Sequence, residues 1–324
     1  MNRIMVTGAS TALGIELIQS LLSDDTIEII LAIGDHHHSP LPEQGNRLRY
    51  QRVNLNRTRQ IHNLLFGPAR ELKIQTIIDV GLNDSHSDRN QSHPKDSEVT
   101  RELLIMTERH PTICHYILRS YAEAYQRDSN LPSLIPEDHP LDLSSHHPAW
   151  LRDRIAADLA ACSRMGMIEA KITVLRCAEC LAHGVGSQLY DYLGSEICLI
   201  PMGFDPMINV ISLPDLVLAL RKTIQKKVQG VFNIPGADTL PLSLLIKKWG
   251  RRTVSLPSAL LGPAYSLRAL AHVGDFMYRH NRHRFHFGGV LDGRCAQQLL
   301  DYRPRTPIAW PGARIDSQNL HGMV

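Results

Sequence analysis

The sequence predicts a doubly wound parallel α/β fold with a smaller region attached toward its C-terminal end. In the first half, short apolar runs rich in β-branched residues alternate with stretches that carry apolar residues at helical spacing. After Cys177 this alternation becomes less regular. Alternating strands and helices at this spacing form one parallel sheet covered by helices on both faces. The 324 residues, 43% of them hydrophobic and 21% charged, suffice for one large domain or two joined ones.

Six segments have the composition of buried strands. Each is short and apolar and is followed by residues that favour turns. In chain order they are RIMVTG (3–8), EIILAIGD (28–35), LRYQRVNL (48–55), QTIIDVG (75–81), CHYILRS (114–120) and KITVLRC (171–177). Between them, ALGIELIQSLL (12–22) and VTRELLIMTER (99–109) are predicted helices.

The predicted organisation is one large sheet domain and one smaller substrate or cap region. INVISLPDLVLALRKTI and GVFNIPG continue the helix and strand pattern beyond Cys177, so they should return to the sheet. The large domain then comprises 1–177, 205–236 and about 285–300, and the smaller region comprises 178–204, 237–284 and 301–324. The polar segments 82–96 and 126–148 are predicted loops.

Charge and composition argue against several classes of protein. A net charge of +3 is too small to indicate nucleic acid or an anionic membrane as a partner. No window approaches the roughly 18 uninterrupted apolar residues of a membrane span, and MNRIMVTGAS reads as a first strand, not a signal peptide. Six scattered cysteines favour reduced thiols. We therefore expect a cytoplasmic protein.

The first strand leads into VTGASTALG, where Gly8 and Gly14 flank a turn that opens an apolar helix. In a strand–turn–helix unit, this geometry points backbone N–H groups and the positive end of the helix at a pyrophosphate. The usual pattern has a third glycine where this chain has Thr11, so that side chain must point away from the phosphates or the backbone must stand further off. The predicted nucleotide contacts are Gly8, Ser10, Thr11, Ala12, Leu13 and Gly14. The alternative is a tight turn without a ligand.

The second strand ends at Asp35, about 20 residues after the last glycine. A carboxylate at this point binds the ribose hydroxyls of NAD and repels the 2′-phosphate of NADP, so the sequence favours NAD. Alternatively, Asp35 only begins a loop. Protonated His36–His38 would partly offset the repulsion of the 2′-phosphate.

Across nearly its whole length the chain resembles the extended or atypical short-chain dehydrogenase/reductase superfamily, the NAD-dependent epimerase/dehydratase group. The resemblance is carried by VTGASTALG, QTIIDVG, CHYILRSYAEAY, KITVLRC, GFDPMINVISLPDLVLAL, GVFNIPGADTLPLSLL and FHFGGVLDGRCAQQLLDYRPRTP, in that order. It implies a Rossmann-type sheet with a small substrate domain over the carboxyl ends of the strands.

The resemblance also implies a chemistry and a set of contacts. Members transfer a hydride between nicotinamide and a carbonyl or alcohol, often on a sugar nucleotide. A Tyr acts as acid and base, a Lys four residues later lowers its pKa and holds the nicotinamide ribose, and a Ser or Thr binds the reacting oxygen. By the same resemblance, Asn54 lies near the adenine, Gly81 follows the fourth strand, and Arg154 reaches the nicotinamide ribose.

The catalytic positions depart from this pattern. Aligning PAWLRDRIAADLAA with the family's YxRSKxxAE places Trp150 on the Tyr and Arg154 on the Lys, and no Y-x-x-x-K occurs anywhere in the chain. An indole N–H does not release its proton at accessible pH, so Trp150 cannot be the acid and base. Arg154 keeps a permanent charge and donors suited to ribose oxygens.

The Ser/Thr position falls on Tyr121, and strand alternation directs the neighbouring Ser120 elsewhere. Two classes of function therefore compete. In the first, the protein binds NAD without catalysis, as a redox sensor or structural subunit. In the second, it is an oxidoreductase or epimerase with a non-standard proton donor, for which the Tyr121 phenol, with Arg154 favouring its phenolate, is the candidate.

The basic run YRHNRHRFHF supplies candidates for binding a substrate diphosphate. They are Arg279, Arg282 and Arg284, because guanidinium groups bind phosphate in bidentate fashion. The alternative is a solvated basic edge or interface. Aromatic residues between the basic ones are too sparse for nucleic acid to be a favoured partner.

Other reactive residue types have structural interpretations. Three consecutive histidines, His36–His38, point in different directions, so they predict a solvated loop and no metal site. Cys177 and Cys180 have the spacing of a redox pair, but they end a strand and are predicted structural thiols. His146 and His147 are predicted to lie in a solvated loop bordering the cleft, and the alternative is an acid or base role. Helices 98–109 and 150–165 are apolar at helical spacing, and in relatives such helices pair across a two-fold axis, which predicts a homodimer.

Overall fold

The fold is a seven-stranded parallel sheet with helices on both faces, and the predicted α/β fold class is confirmed. A computed structural model of the chain describes residues 1–36, 39–40, 45–81, 96–270 and 276–311. The predictions for the other two histidines of His36–His38, for nearly all of the loop 82–96, and for most of the C-terminal segment 301–324 lie outside these residues.

The strands of the described chain are β1 Asn2–Thr7, β2 Ile27–Gly34, β3 Leu48–Arg52, β4 Thr76–Asp79, β5 His115–Tyr121, β6 Leu134–Ile135, β7 Lys171–Cys177, β8 Glu179–Cys180, β9 Ile197–Pro201, β10 Met207–Ile211, β11 Gly230–Ile234, β12 Asp238–Pro241, β13 Arg252–Leu256 and β14 Val290–Leu291. All six predicted strands are present in the predicted order, as β1, β2, β3, β4, β5 and β7 of the described chain. The central sheet has the order β11-β7-β5-β4-β1-β2-β3, and every neighbouring pair is parallel.

The helices connect these strands and cover the sheet. They are α1 Ala12–Leu22, α2 Thr58–Leu64, α3 Asp96–Glu108, α4 Ala149–Arg164, α5 Gln188–Leu193, α6 Leu213–Lys226, α7 Leu242–Lys248, α8 Ser258–Leu270, α9 Tyr278–Phe287 and α10 Arg294–Leu299. Within the described ranges, none of them combines the length and apolar character needed to cross a membrane.

Alternate residues of the strands belong to two apolar cores, one on each face of the sheet. On β5, Ile117 packs with α1 and α6, whereas Tyr116 and Leu118 pack with α2 and α3 on the other face. Because both faces are covered, all seven residues of β5 are buried, which is the pattern of a parallel strand. The period of two along β5 therefore fixes which side chains share a face with Ile117.

A third core lies outside the central sheet. Aromatic rings from α5, α8 and α9 meet there, with Tyr265 stacked on Tyr278 at 5.1 Å and Tyr192 packed against Phe285 at 4.9 Å. Strand β10 falls within 205–236, yet it pairs with β8 and β12 in a separate three-stranded sheet. Its Ile208 and Val210 belong to the third core, which explains this pairing.

Candidate functional site

The candidate site is a crevice at the carboxyl ends of β1 and β4. The chain runs from β1 outward to β2 and β3 and then returns to β4 on the other side of β1. At such a reversal of strand order the connections on the two sides diverge, and ligands of doubly wound folds bind in the gap.

Two glycines, Gly8 and Gly14, allow the backbone segments around this crevice to approach each other. Gly8 has a φ of +67°, and a Cβ built on it would lie 2.3 Å from the carbonyl oxygen of Gly81. A Cβ on Gly14 would lie 2.1 Å from the carbonyl oxygen of Gly8. Any side chain at either position would collide with backbone, so the turn needs glycine at both.

Thr11 adopts the backbone conformation of this turn without needing the wider range of φ and ψ that glycine allows. Its φ of −78° and ψ of 157° are ordinary extended values, and its side chain caps α1 by accepting a hydrogen bond from the Gly14 amide at 3.0 Å. The same hydroxyl donates to the Gly8 carbonyl at 2.8 Å. The Thr11 side chain thus turns into the loop. The amides of Ala12 and Leu13, at the first two positions of α1, have no acceptor within the helix and are available to an anion.

The far end of the crevice contains the predicted adenosine contacts. Asp35 directly follows β2, and its side chain is 82% exposed. Ser10 lies close to Gly34, where a Cβ would be 2.3 Å from the Ser10 hydroxyl. Asn54 follows β3 and is exposed, and its side-chain oxygen accepts a hydrogen bond from the Asn56 amide at 3.0 Å.

Two residues of β3 that the sequence analysis did not single out complete this end. The Tyr50 hydroxyl donates to the His36 carbonyl at 3.0 Å and lies 3.4 Å from the Ser10 hydroxyl. Arg52 donates from Nε to the Asp35 carbonyl at 2.9 Å. Strand β3 lies beside β2 in the sheet. Its residues could therefore have been expected close to Asp35, which follows β2, and this pairing is the signal that could have identified them.

The inner end of the crevice is formed by Tyr121, Arg119 and Gly81. A Cβ on Gly81 would lie 3.1 Å from the Tyr121 hydroxyl. Arg119 donates from Nη1 to that hydroxyl at 2.6 Å. The sequence hypothesis paired the phenol with Arg154, whose guanidinium lies 3.7 Å from the centre of the Tyr121 ring. Arg154 approaches the ring from α4, and Arg119, two residues away on the same strand, also lies over the ring, with its guanidinium 4.0 Å from the ring centre.

Arg154 and Trp150 lie together at the start of α4. The Arg154 guanidinium is 5.0 Å from the centre of the Trp150 ring and forms a 3.2 Å ion pair with Glu123. Both charged side chains are less than a tenth exposed. The arginine predicted to hold the nicotinamide ribose is thus also neutralised by a buried carboxylate from the turn after β5.

A buried ion pair fixes α4 against the sheet. Arg176 of β7 binds Asp158 of α4 through two hydrogen bonds of 2.7 and 3.0 Å. Ser120 donates to the same carboxylate at 2.5 Å, so its side chain faces α4 and not the crevice. Arg176 also donates to the Tyr125 hydroxyl at 3.2 Å. This network joins β7 to β5 and α4, the two elements that carry the catalytic-type positions Tyr121, Trp150 and Arg154.

The structure separates the three arginines of the basic run. Arg279 and Arg282 are exposed on α9, whereas Arg284 is buried and forms an ion pair with Glu179. Burial lowers the pKa of Arg284 to about 9. Helical geometry explains the division, because residues 279 and 282 are one turn apart on the same side and residue 284 lies on another.

Arg284 lines a polar cavity between the sheet domain and the third core. The cavity is bordered by Glu123, Tyr125, Arg127, Asp142, His147, Trp150, Leu151, Gln188, His280, Asn281, His283 and Arg284. His147 is only 12% exposed and lies 2.9 Å from the Asp142 carboxylate, so the prediction of a solvated loop is wrong for it. His146 is exposed as predicted.

The cysteines do not form a reactive pair. Burial raises the pKa of both Cys177 and Cys180 to about 12, so both thiols are protonated at neutral pH. Within the described ranges, no group of three or more His, Cys, Asp or Glu side chains is arranged to hold a metal ion.

Comparison with known proteins gives distant relatives in sequence and several in structure. No family model matches the chain. An uncharacterized protein of Mycobacterium tuberculosis is 23% identical over 314 residues, covering 93% of this chain and 80% of that protein. A dTDP-glucose 4,6-dehydratase from Bacillus anthracis, solved in complex with NAD, is 14% identical with a TM-score of 0.66 and covers 100% of this chain and 97% of its own.

A second solved structure is a UDP-glucuronic acid 4-epimerase from Bacillus cereus in complex with UDP-glucuronic acid and NAD. It is 17% identical, has a TM-score of 0.67, and covers 99% of this chain and 100% of its own. The alignment spans the sheet and the third core in both cases. The chain therefore has the Rossmann-type fold of the NAD-dependent sugar-nucleotide dehydratases and epimerases, the fold of the extended short-chain dehydrogenases/reductases.

Proposed function

We propose that the protein binds NAD in the crevice between β1 and β4 and does not catalyse the hydride transfer typical of this fold. Its role would be that of a redox sensor or a structural subunit. The observation that carries the proposal is the combination of a complete backbone cradle at Gly8, Gly14 and Gly81 with Trp150 at the position of the proton donor. The cradle provides close backbone approach and free helix amides for a pyrophosphate.

The residues present fit the adenosine ribose and the phosphates of a dinucleotide. Asp35 presents an exposed carboxylate for ribose hydroxyls, and the first turn of α1 presents amides for phosphate. At the catalytic end, the Trp150 indole can donate a hydrogen bond but cannot exchange a proton with a substrate. Arg154 is permanently charged and is paired with Glu123, so it cannot titrate in place of a lysine.

The test of this function begins with the purified protein as isolated. Denaturing it and identifying any released nucleotide by mass should yield NAD or NADH, and titration calorimetry of the emptied protein should give saturable NAD binding. Incubation with a panel of alcohols and nucleotide sugars should leave the bound NAD oxidised. An emptied protein that shows no affinity for NAD would overturn the proposal, and reduction of NAD by any substrate would favour the catalytic alternative.

Asp35 should determine the preference for NAD over NADP. Replacing Asp35 with serine removes the charge that repels a 2′-phosphate, and the Arg52 guanidinium nearby can then attract it. We expect the ratio of the NADP and NAD dissociation constants to fall by at least about tenfold, measured by calorimetry. Asp25, which lies in the turn before β2, provides a matched Asp→Ser control that should leave the ratio unchanged. An unchanged ratio in the Asp35 variant would remove Asp35 from the site.

A catalytic alternative is favoured by one specific observation, the short hydrogen bond from Arg119 to the Tyr121 hydroxyl. When bound, the nicotinamide supplies or accepts the hydride. Tyr121 would give the proton to the oxygen of a carbonyl substrate or take it from an alcohol, with the cations of Arg119 and Arg154 stabilising the phenolate. A substrate resembling a nucleotide sugar would lie in the cavity that Arg284 borders, with the exposed Arg279 and Arg282 further out on α9.

The Tyr121→Phe variant tests this alternative in any assay that detects turnover. Loss of the hydroxyl should lower kcat by about 100-fold or more, because it removes the proton donor. NAD affinity should change little, since the ring and its contacts with Arg154 remain. Turnover equal to that of the wild type would exclude Tyr121 as the acid.

We also propose that α3 and α4 form a homodimer interface. They lie side by side, and the groove between them presents Ile105 and Leu159 at 44% and 42% exposure. Burial of such side chains against a second copy follows the isologous pattern of two-fold dimers. A cytoplasmic location of the protein stays a prediction.

Replacing Leu159 with arginine should convert the dimer into a monomer at micromolar concentration, because it places a charge in an apolar interface. The measurement is sedimentation velocity or light scattering. Leu299 on α10 is 52% exposed and provides a control, since Leu299→Arg should leave the oligomeric state unchanged. A wild-type protein that is monomeric at all concentrations would contradict the proposal.

A further inference from the structure

Arg119 is a buried cation with an incomplete set of partners. The residue is 6% exposed, and it donates to the Tyr121 hydroxyl at 2.6 Å and to the Val185 carbonyl at 3.4 Å. Its Nε is buried without any hydrogen-bond partner. Both acceptors that it does have are neutral groups, so its charge is not balanced by them.

Arg119 differs in this respect from the other buried arginines in the described part of the chain. Arg154, Arg176 and Arg284 are buried to a similar extent, and each forms an ion pair with a carboxylate. For Arg119, no carboxylate of the described residues lies within the 4.0 Å ion-pair distance. Its neighbours Cys177 and Cys180 cannot supply the missing charge, because burial raises the pKa of both thiols to about 12.

The position of Arg119 links this charge to the nucleotide crevice. Val185, which accepts from Nη2, follows Gly184, and a Cβ on Gly184 would lie 3.4 Å from the Ala12 side chain at the start of α1. Tyr121, which accepts from Nη1, lies against Gly81 at the end of β4. Arg119 therefore forms part of the wall between the α1 amides and the carboxyl ends of β4 and β5.

We propose that Arg119 binds the diphosphate of the nucleotide ligand, as the counter-charge that no carboxylate of the described residues provides. The inference rests on the proposed nucleotide function and specifies its ligand as a nucleoside diphosphate or a dinucleotide, recognised through its anionic bridge. An uncompensated buried charge is strongly unfavourable, and an anion that pairs with it relieves that cost. Guanidinium and helix amides together form a two-sided phosphate contact of the kind that proteins commonly use.

The decisive experiment compares the wild type with Arg119→Met, which keeps the length of the side chain and removes its charge. We expect ADP and NAD to bind the variant about 10- to 100-fold more weakly by calorimetry, because a charge-assisted hydrogen bond to phosphate is lost. Adenosine, which has no phosphate, should bind both proteins within about twofold. Arg59→Met, on an exposed position of α2, serves as the control and should bind ADP like the wild type.

A second measurement needs no nucleoside and remains informative if the variant folds poorly. Inorganic pyrophosphate should raise the Tm of the wild type and of Arg59→Met, and it should leave the Tm of Arg119→Met unchanged. Without ligand, Arg119→Met should melt no lower than the wild type, since an unbalanced buried charge is removed. A wild type whose Tm does not respond to pyrophosphate, or an Arg119→Met variant that binds ADP like the wild type, overturns the inference.

The two proposals fail in different ways. If ADP and pyrophosphate bind through Arg119 and NAD does not bind, the diphosphate contact stands and the NAD-binding function falls. If NAD binds the wild type and Arg119→Met equally well, the function stands and the role of Arg119 falls.

Discussion

Replacing Asp158 with alanine should lower the free energy of unfolding by about 3–5 kcal/mol, because it leaves Arg176 buried without a counter-charge. Asp158 is fully buried, Arg176 is 6% exposed, and two hydrogen bonds join them. The Ser120 hydroxyl loses its acceptor in the same variant. Equilibrium denaturation by urea measures the change.

The exposed pair of Arg164 and Glu108 provides the control for this prediction. Its side chains are 32% and 46% exposed, so Glu108→Ala should cost less than about 1 kcal/mol. A loss below 1 kcal/mol for Asp158→Ala as well would show that the buried pair does not hold α4 against β5 and β7. We expect nucleotide affinity to fall with stability, since Tyr121 and Arg154 are positioned by these same elements.

Replacing Gly8 with alanine should abolish measurable NAD binding and lower the free energy of unfolding by more than about 2 kcal/mol. The added Cβ would lie 2.3 Å from the Gly81 carbonyl oxygen and 2.9 Å from the Val80 side chain. Either the first turn or the end of β4 must move, and both belong to the proposed phosphate cradle. Calorimetry with NAD and urea denaturation together measure the effect.

Gly166 provides a matched control, because it separates the cost of backbone conformation from the cost of collision. Its φ of +74° is close to the +67° of Gly8, but a Cβ built there meets no atom within 4 Å. Gly166→Ala should therefore lose only about 1–2 kcal/mol and keep the NAD affinity of the wild type. Equal effects of the two substitutions would mean that close packing of Gly8 on Gly81 does not matter to the site.

The sequence by itself determined the sheet, the glycine turn after β1 and the presence of Trp150 and Arg154 at the start of α4. Apolar periodicity is a local property, so the six predicted strands could be recognised without knowledge of their neighbours. The φ of +67° at Gly8 and the close approach of Gly14 to the Gly8 carbonyl are local reasons for glycine, whereas the packing of Gly8 on Gly81 is a tertiary one. The identity of Trp150 is likewise read directly, and its inability to exchange a proton does not depend on its surroundings.

Only the tertiary structure decided which charges are balanced. The ion pairs of Arg154 with Glu123 and of Arg284 with Glu179 join residues that are 31 and 105 positions apart, so nothing local marks them. The basic run is continuous in sequence, but on the helix Arg284 is buried, whereas Arg279 and Arg282 are exposed to solvent. Sequence also could not show that Arg119 lacks a carboxylate partner among the described residues, because the energy of a buried charge depends on what surrounds it in three dimensions.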